Sequence, residues 1–428
     1  MSQERNQAYA KAMGAGADCP AREIEPRLAL GNKVFSAEKL LLARMMESLG
    51  NPSLDLVLWD GQEIASARRP AVARVLIRDR GAMLKLIANP ELGFGEMYTA
   101  ERIEVQGDLV DSLEAINRAL PRTDRGQIGK KLLAPFNGSR RNTEPRARRN
   151  IHHHYDIGND FYKLWLDPNL VYTCAYFSEP TMGLEEAQAA KLDYVCRKLR
   201  LAPGETVLEA GCGWGALALH MARHYGVTVT AYNISKEQIA YARERARAEG
   251  LEGRVQFIED DYRNAGGEFD AFVSVGMLEH VGVDQYQALG AVIDRSLKDA
   301  GRGLIHSIGR DRPGPLTPWI ERNIFPGACP PSLSQMTQIF EPFGFSVLDV
   351  ENLRLHYAKT LEHWMERYEA NVERVAQMFD PAFVRAWRLY LAGSLAAFRS
   401  GDMQLFQVSF SRSGHNRIPW TRHYLYPS

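Results

Sequence analysis

The apolar and polar positions after residue 200 predict short strands that alternate with helices. Strand-like apolar runs lie at residues 206–208, 227–233, 255–261, 269–276 and 301–309. Helical patterns lie between them, at residues 235–248 and 284–299. Because strands joined through intervening helices usually pair in parallel, the pattern predicts an α/β domain with a parallel sheet and helices on both faces. Ligands of such sheets bind at the carboxyl ends of the strands.

A small α+β domain is predicted over residues 1–120. A helix is expected from Ser36, its N-cap, to Gly50, and residues 54–61 and 73–79 are predicted as strands. No residues in this segment have a catalytic spacing. The domain is therefore interpreted either as a structural companion of the larger domain or as a lipid-handling module.

A glycine-rich turn follows the first strand of the larger domain. Glu209 precedes three alternating glycines, Gly211, Gly213 and Gly215, and a helical pattern begins after them. Glycine allows a tight turn and a close approach to a ligand, and the new helix offers free N–H groups at its positive end. The turn predicts a nucleotide-like ligand, with a plain tight turn as the alternative. Its E-x-G-x-G-x-G spacing resembles motif I of class I S-adenosylmethionine (SAM) methyltransferases.

Composition narrows the function classes. The 428 residues include 52 Lys and Arg and 52 Asp and Glu, so no global field favours nucleic acid, and no nucleic-acid partner is expected. The five cysteines are scattered without a C-x-x-C pair, which indicates a reducing compartment and no zinc site. Neither a signal-peptide pattern nor an apolar run of about 20 residues is present, so a cytoplasmic enzyme is expected.

Residues 121–150 form a basic segment. They carry nine Lys or Arg residues against Asp124 and Glu144. A solvated linker is one interpretation. Because residues 126–136 place apolar side chains beside lysines, the segment is also suited to the surface of an anionic bilayer, where each cation contributes about 1 kcal/mol.

The segment after the linker is rich in aromatic residues and suits either a lid over an apolar substrate or packing on the sheet. His152, His153 and His154 are adjacent there, but neighbouring residues cannot all face one ion on a helix or strand. No metal site is expected.

Seven motifs in order resemble the cyclopropane-fatty-acyl-phospholipid synthase family, which includes the mycolic acid cyclopropane synthases. They are HYDIGNDFYKLWLD, VYTCAYF, LEAGCGWG, NISKEQ, SVGMLEHVG, LIHSIG and HYAKT. The resemblance covers about residues 150–412, and residues 94–120 resemble the N-terminal domain of the longer, phospholipid-acting members. It implies a Rossmann-like class I SAM methyltransferase domain over residues 151–428. The implied reaction is methyl transfer from SAM to the cis double bond of an acyl chain in a membrane phospholipid.

The cofactor residues follow partly from the pattern and partly from the resemblance. The strand that ends at Asn233 lacks the usual ribose-binding carboxylate, so Gln238 is expected to contact the ribose, as the resemblance implies. The spacing of Ser235 and Gln238 also fits a capping box, and both roles are open. The expected cofactor set is Tyr172, Thr173, Glu209, Gly211, Gly213, Gly215, Asn233, Ser235, Gln238, Asp261 and Tyr262, in which Tyr172 and Thr173 meet the methionine end and Asp261 and Tyr262 meet the adenine.

The implied chemistry needs a shielded cation and a base. Aromatic rings suited to stabilising a carbocation, or simply to packing, are Tyr155, Phe161, Tyr162, Tyr176, Trp319 and Tyr357. The resemblance implies a bicarbonate base, bound by Cys174, Glu279, His306 and Tyr357 and by the backbone of Ile308. A helix-start carboxylate and a buried strand histidine are the alternatives for Glu279 and His306.

The resemblance leaves the product and the assembly open. Ser394 stands where the family commonly has a cysteine, which argues against covalent thiol catalysis. A cyclopropane product is expected. The alternatives are a methylene- or methyl-branched acyl chain, a small-molecule methyltransferase, and a lipid-binding protein without activity. The protein is expected at the inner face of the membrane, and a homodimer is left open.

Overall fold

A computed structural model describes residues 34–120 and 157–426 of the chain. The α-helices are α1 (Ser36–Ser48), α2 (Arg80–Ala88), α3 (Pro90–Thr99), α4 (Leu109–Ala119), α5 (Asn159–Tyr162), α6 (Leu184–Leu199), α7 (Ala216–Tyr225), α8 (Lys236–Ala248), α9 (Tyr286–Ser296), α10 (Pro318–Asn323), α11 (Leu333–Phe340), α12 (Arg354–Ala370), α13 (Val372–Met378) and α14 (Pro381–Ser400). The strands are β1 (Leu54–Val57), β2 (Glu63–Ile64), β3 (Ala73–Ile77), β4 (Ile103–Gln106), β5 (Thr206–Ala210), β6 (Thr228–Asn233), β7 (Val255–Glu259), β8 (Phe269–Val275), β9 (Leu297–Arg310), β10 (Phe345–Asn352) and β11 (Met403–Arg412). Short 3₁₀ turns after β7 and β8 span Tyr262–Asn264 and Leu278–His280.

The chain divides into two compact units. Among the described residues, the first unit contains residues 34–120, 316–326 and 368–402, and the second contains residues 157–315, 327–367 and 403–426. This division differs from the expected domain bounds 1–120, 121–150 and 151–428. The difference arises because α10, α13 and α14 lie late in the sequence yet belong to the first unit.

A seven-stranded sheet forms the centre of the second unit, in the order β10-β11-β9-β8-β5-β6-β7. β5 pairs in parallel with β6 and β8, and β7 and β9 continue the parallel part on either side. β11 runs antiparallel to its neighbours β9 and β10. Because the chain adds β6 on one side of β5 and later adds β8 on the other, the strand order reverses at β5. A crevice for ligands forms at such a reversal, outside the carboxyl ends of the strands.

Helices cover both faces of this sheet, because successive residues of a strand point to opposite sides. Val207 packs in the core that α6, α7 and α8 share, whereas Leu208 packs in the core of α9 and α11. In β9, Leu304 and Ile305 divide between the two cores in the same way. The predicted α/β fold with a Rossmann-like sheet is confirmed.

The first unit contains a four-stranded sheet in the order β2-β1-β3-β4, in which β1 and β3 are parallel. Apolar residues of α1 and α2 close its core. The helix predicted after Ser36 is present, but Ser36 as its N-cap is wrong by one residue. Phe35 occupies that position, and the Glu38 carboxylate accepts the Phe35 N–H at 2.8 Å. Within the same unit, Arg385 of α14 donates from Nε to the Tyr98 carbonyl at 2.6 Å.

Some predictions fall outside the described residues. They concern the basic segment 121–150, the three adjacent histidines, His152–His154, and Tyr155. Within residues 34–120 and 157–426, no helix combines the length and apolar character that crossing a bilayer requires.

Candidate functional site

The three glycines after β5 have positive φ angles, and each has a different steric surrounding. The φ angles of Gly211, Gly213 and Gly215 are +85°, +53° and +85°. A Cβ on Gly215 would come within 2.6 Å of the Phe257 ring, and one on Gly211 within 2.9 Å of the Met277 Cβ. A Cβ on Gly213 would meet no atom within 4 Å. Gly215 is therefore required for packing of α7, whereas Gly213 leaves open space at the turn.

A cavity lies at the carboxyl ends of β5, β6 and β8, where the strand order reverses. Seven of the eleven expected cofactor residues border it. They are Tyr172, Thr173, Glu209, Gly211, Gly213, Asn233 and Gln238. Backbone turns and apolar side chains line most of the cavity wall, which is the general form of a small-molecule site.

Asn233 and Gln238 are oriented by a small hydrogen-bond network. The Asn233 amide donates to Gln238 Oε1 at 2.8 Å, and its own Oδ1 accepts the Ser235 N–H at 3.2 Å. Ser235 caps α8 by accepting the Gln238 N–H at 3.4 Å. Only the serine half of the expected capping box is therefore present. In a full capping box the Gln238 side chain would accept the Ser235 N–H, but here Asn233 accepts it. The side-chain N–H groups of Gln238 have no partner among the described residues, so they remain available to the cavity.

The remaining expected cofactor residues lie elsewhere. Asp261 accepts the Arg263 N–H at 3.0 Å and the Arg263 Nε–H at 2.9 Å. The Arg263 guanidinium also lies over the Tyr262 ring, 5.7 Å from its centroid. Neither Asp261 nor Tyr262 borders the cavity, and Gly215 and Ser235 act through packing and capping.

Several residues that sequence reasoning missed border the same cavity. They are Lys191, Trp214, Gly276, Met277 and His280. Gly276 has a φ of +73°, and a Cβ there would come within 2.7 Å of Thr173 Cγ2. The motif SVGMLEHVG contains three of these residues and was a usable signal. Lys191 carries no such signal, because it is one polar residue in an ordinary helical pattern.

The cavity contains a buried acid. Glu209 is 2% exposed, and its Oε2 has no hydrogen-bond partner among the described residues. Burial raises the pKa of Glu209 to about 8. An unpartnered polar atom in a buried position is costly, so this oxygen is a binding point for a ligand donor.

A second cluster of buried polar groups lies at the ends of β8 and β9. Glu279, in the turn after β8, accepts the Ile308 N–H at Oε1 with a distance of 2.5 Å, and its Oε2 has no described partner. Burial raises the pKa of Glu279 to about 7. The Ile308 N–H, expected to bind an anion, is thus used by the carboxylate in this arrangement.

His306 lies on β9 directly opposite Gln407 of β11. Its Nδ1 is 2.9 Å from Gln407 Nε2, while its Nε2 is buried without a described partner. Burial lowers the pKa of His306 well below its usual value, so the ring is neutral at pH 7. With the Gln407 amide donating to Nδ1, the ring proton lies on Nε2, which is then a donor.

Cys174 and Tyr357 are linked to each other through the backbone carbonyl of Leu353. Cys174 donates weakly to the Ala175 carbonyl at 3.2 Å, and the Leu353 carbonyl lies 3.9 Å from its Sγ. That same carbonyl accepts the Tyr357 N–H at 3.1 Å. Burial raises the pKa of the Cys174 thiol far above its usual value. Cys174 is therefore a neutral thiol and a poor nucleophile.

Aromatic rings form a contiguous cluster that includes cavity residues Tyr172 and Trp214. The ring centroids of Tyr162 lie 5.5 Å from Tyr172 and 5.0 Å from Trp214, and Trp364 lies 5.3 Å from Tyr172 and 5.9 Å from Tyr357. Phe161 and Trp165 extend the cluster.

Two of the expected aromatic residues that the structure describes, Tyr176 and Trp319, lie outside this cluster. Tyr176 instead stacks on Tyr194 at 4.2 Å, and Trp319 belongs to the first unit. Ser394 also belongs to the first unit, on α14.

Comparisons with known proteins identify close relatives. A family model described as mycolic acid cyclopropane synthetase matches residues 142–408. The chain is 36% identical over 395 residues to a probable fatty acid methyltransferase of Pseudomonas putida, covering 89% of this chain and 98% of that protein. It is 44% identical over 266 residues to the cyclopropane-fatty-acyl-phospholipid synthase of Escherichia coli K12, covering 62% of this chain and 68% of that protein. The solved structure of mycolic acid cyclopropane synthase CmaA1 with SAH and CTAB matches with a TM-score of 0.59 and 31% identity, over 62% of this chain and 98% of that chain.

Proposed function

Because the chain belongs to the mycolic acid cyclopropane synthetase family of SAM-dependent methyltransferases, we propose that it cyclopropanates unsaturated acyl chains of membrane phospholipids. The relative from Escherichia coli, at 44% identity, is a cyclopropane-fatty-acyl-phospholipid synthase. The observation that carries the proposal is a pair of buried atoms, Glu279 Oε2 and His306 Nε2, that have no hydrogen-bond partner within residues 34–120 and 157–426. They provide the polar site for a base that this reaction needs.

The cavity at the strand reversal fits SAM. Gly213 leaves room for the cofactor beside the backbone, Gln238 offers free amide donors to ribose hydroxyls, and Glu209 Oε2 offers an acceptor to an ammonium group. SAM supplies an electrophilic methyl group when bound. Tyr172 and Thr173 border the same cavity and are proposed to contact the methionine end.

The residues around the second cluster fit a small oxyanion such as bicarbonate. The proton on His306 Nε2 and the protonated form of Glu279 are donors, and Cys174 and Tyr357 are proposed to complete the set. The Ile308 N–H, which Glu279 Oε1 accepts at 2.5 Å, would join them only after its release by the carboxylate. Bicarbonate supplies a base when bound. A carboxyl whose pKa is about 7 is protonated in part of the molecules at neutral pH, so Glu279 can bind an anion without mutual repulsion.

The aromatic cluster suits the charge that the reaction creates. The alkene π electrons form a bond to the methyl carbon as the sulfur–carbon bond breaks, and a positive charge is left on the acyl chain. Loss of a proton from the delivered methyl group then closes the ring. The faces of Tyr162, Tyr172 and Trp364 provide negative quadrupole density without a nucleophile, and they exclude water that would trap the cation.

A substrate inside a bilayer requires the protein to reach the membrane surface. We propose peripheral association with the inner face of the membrane, with the basic segment 121–150 contributing attraction to anionic lipids. The small domain is proposed to handle lipid, and a homodimer is compatible with these roles.

The test is product analysis. The protein is incubated with SAM and vesicles of unsaturated phospholipid, and the acyl chains are examined by mass spectrometry after chemical derivatisation of alkenes. A product one CH₂ heavier that resists derivatisation is expected. Glu279→Gln should lower turnover by about 10²- to 10⁴-fold, the usual size of a general-base contribution, with SAM affinity retained. Full turnover in the variant would exclude this base.

A second candidate is a fatty acid methyltransferase that forms a methylene or methyl branch. The observation that favours it is the relative from Pseudomonas putida, which matches over 98% of its length and is named a probable fatty acid methyltransferase. The same carbocation precedes the cyclopropane and the branched products. The products differ in which proton the carbocation loses, or in whether a reduction follows. A heavier product that still reacts as an alkene would identify the methylene branch.

A further inference from the structure

Lys191 is a lysine in the interior of the second unit that the expected cofactor set does not include. It lies in the middle of α6, is 2% exposed, and borders the cavity assigned to SAM. Among the described residues, it is the one Lys or Arg that borders this cavity. Its position therefore sets the charge that a ligand meets there.

The ammonium group of Lys191 is incompletely satisfied within the described chain. Its Nζ donates to Thr173 Oγ1 at 2.8 Å. An ammonium has three donors, and a neutral hydroxyl accepts only one of them. No described carboxylate forms an ion pair with Lys191. A buried cation in this state gains strongly from an anion that enters the cavity.

The nearest acids do not fill this role. Asp167 uses Oδ1 and Oδ2 to accept the N–H groups of Val171 and Asn169, at 2.8 Å and 2.9 Å. Burial raises the pKa of Asp167 and that of Glu209, the latter to about 8. Glu209 is therefore largely neutral at pH 7. Burial lowers the pKa of Lys191 to about 8, so Lys191 still carries its charge at that pH.

We propose that Lys191 and the Thr173 hydroxyl form the subsite that binds the α-carboxylate of the methionine end of SAM. This inference rests on the assignment of the cavity to SAM. The carboxylate supplies the anion that Lys191 lacks. Thr173, whose hydroxyl accepts from Lys191 at 2.8 Å, borders the same cavity. Glu209 Oε2, on the same cavity, accepts from the ammonium group of the ligand. The subsite thus favours a ligand that carries both an amino acid zwitterion and adenosine over a ligand that carries adenosine alone.

The test measures binding of three ligands by calorimetry, without lipid or turnover. SAM carries the carboxylate, decarboxylated SAM keeps the sulfonium and amino group without it, and 5′-methylthioadenosine lacks the whole amino acid end. Lys191→Met should weaken SAM binding by about 10- to 150-fold, the equivalent of a hydrogen bond to a charged group. Binding of the other two ligands should not weaken. Retained binding of 5′-methylthioadenosine also reports that the cavity is folded.

Lys198→Met is the matched control. Lys198 lies on the same helix and is also buried, but it pairs with Glu351 at 2.5 Å. Its replacement should leave all three affinities unchanged. Should Lys191→Met fail to fold, Thr173→Val removes the hydroxyl alone and should reduce the preference for SAM over decarboxylated SAM.

Two results would overturn the subsite. One is an equal loss of all three affinities in Lys191→Met, which indicates a structural role. The other is unchanged preference for SAM over decarboxylated SAM in both Lys191→Met and Thr173→Val. If the parent protein binds none of the three ligands, the assignment of the cavity to SAM is wrong, and the proposed carboxylate subsite is then wrong as well.

Discussion

Replacing Glu279 by Gln should change how the stability of the protein depends on pH. Burial raises the pKa of Glu279 from 4.5 in the unfolded chain to about 7 in the folded protein. Between these values, the folded state binds more protons at this group than the unfolded state does. The free energy of unfolding therefore falls as the pH rises through this window. Glutamine has no proton to lose, so the variant lacks this contribution.

The size of the effect follows from the two pKa values. Linkage between pH 5 and pH 8 gives a loss of roughly 2 to 3 kcal/mol for the parent from this one group. The amide oxygen of the introduced glutamine would still accept the Ile308 N–H, so the hydrogen bond that orients the side chain is kept. The variant should accordingly gain roughly 2 to 3 kcal/mol relative to the parent between pH 5 and pH 8, even as it loses turnover.

Urea denaturation of both proteins at several pH values from 5 to 8 measures this difference. Asp270→Asn is a control, because the contribution of this carboxyl to stability does not change between pH 5 and pH 8. Although burial raises the pKa of Asp270, the Thr206 N–H and Lys298 hold it below its usual value. Its contribution to stability is fully present above the unfolded pKa of 3.8 and is lost only at lower pH, so Asp270→Asn should lose the same amount of stability at every pH from 5 to 8. Parallel pH profiles for Glu279→Gln and the parent would refute the buried, raised-pKa carboxyl.

Two further predictions concern the cofactor turn and the basic segment. Gly213→Val should abolish SAM binding in calorimetry, because the valine side chain would occupy the open space at the turn that is assigned to the cofactor, and because the positive φ disfavours a β-branched residue. The far-UV circular dichroism should be retained. Unchanged affinity would contradict the assignment of this turn to SAM. Changing Lys130, Lys131, Arg140 and Arg141 to Gln should lower sedimentation with anionic vesicles at low salt, and equal binding would exclude the basic segment as the contact.

The sequence alone determined the parallel part of the sheet and its ligand edge. Apolar runs separated by helical patterns predicted β5 to β9, because the alternation of strand and helix is a local property. The E-x-G-x-G-x-G turn likewise predicted the position of the cavity, since glycine is required by the local backbone angles. Gly215 was predicted to bind the ligand, and only the Phe257 ring, which a Cβ on Gly215 would approach within 2.6 Å, shows that packing also requires a glycine there.

The tertiary structure alone decided the rest, because the relevant contacts join residues far apart in the chain. β11 inserts antiparallel between β9 and β10, and this pairing places Gln407 against His306. The same long-range folding assigns α14 to the first unit. Burial is also a tertiary property: a lysine in a helical pattern is ordinarily solvated, and only the packed second unit makes Lys191 a buried cation beside the cavity. Desolvation in that packed interior, which no local pattern encodes, shifts the pKa values of Glu279 and Lys191 towards neutrality.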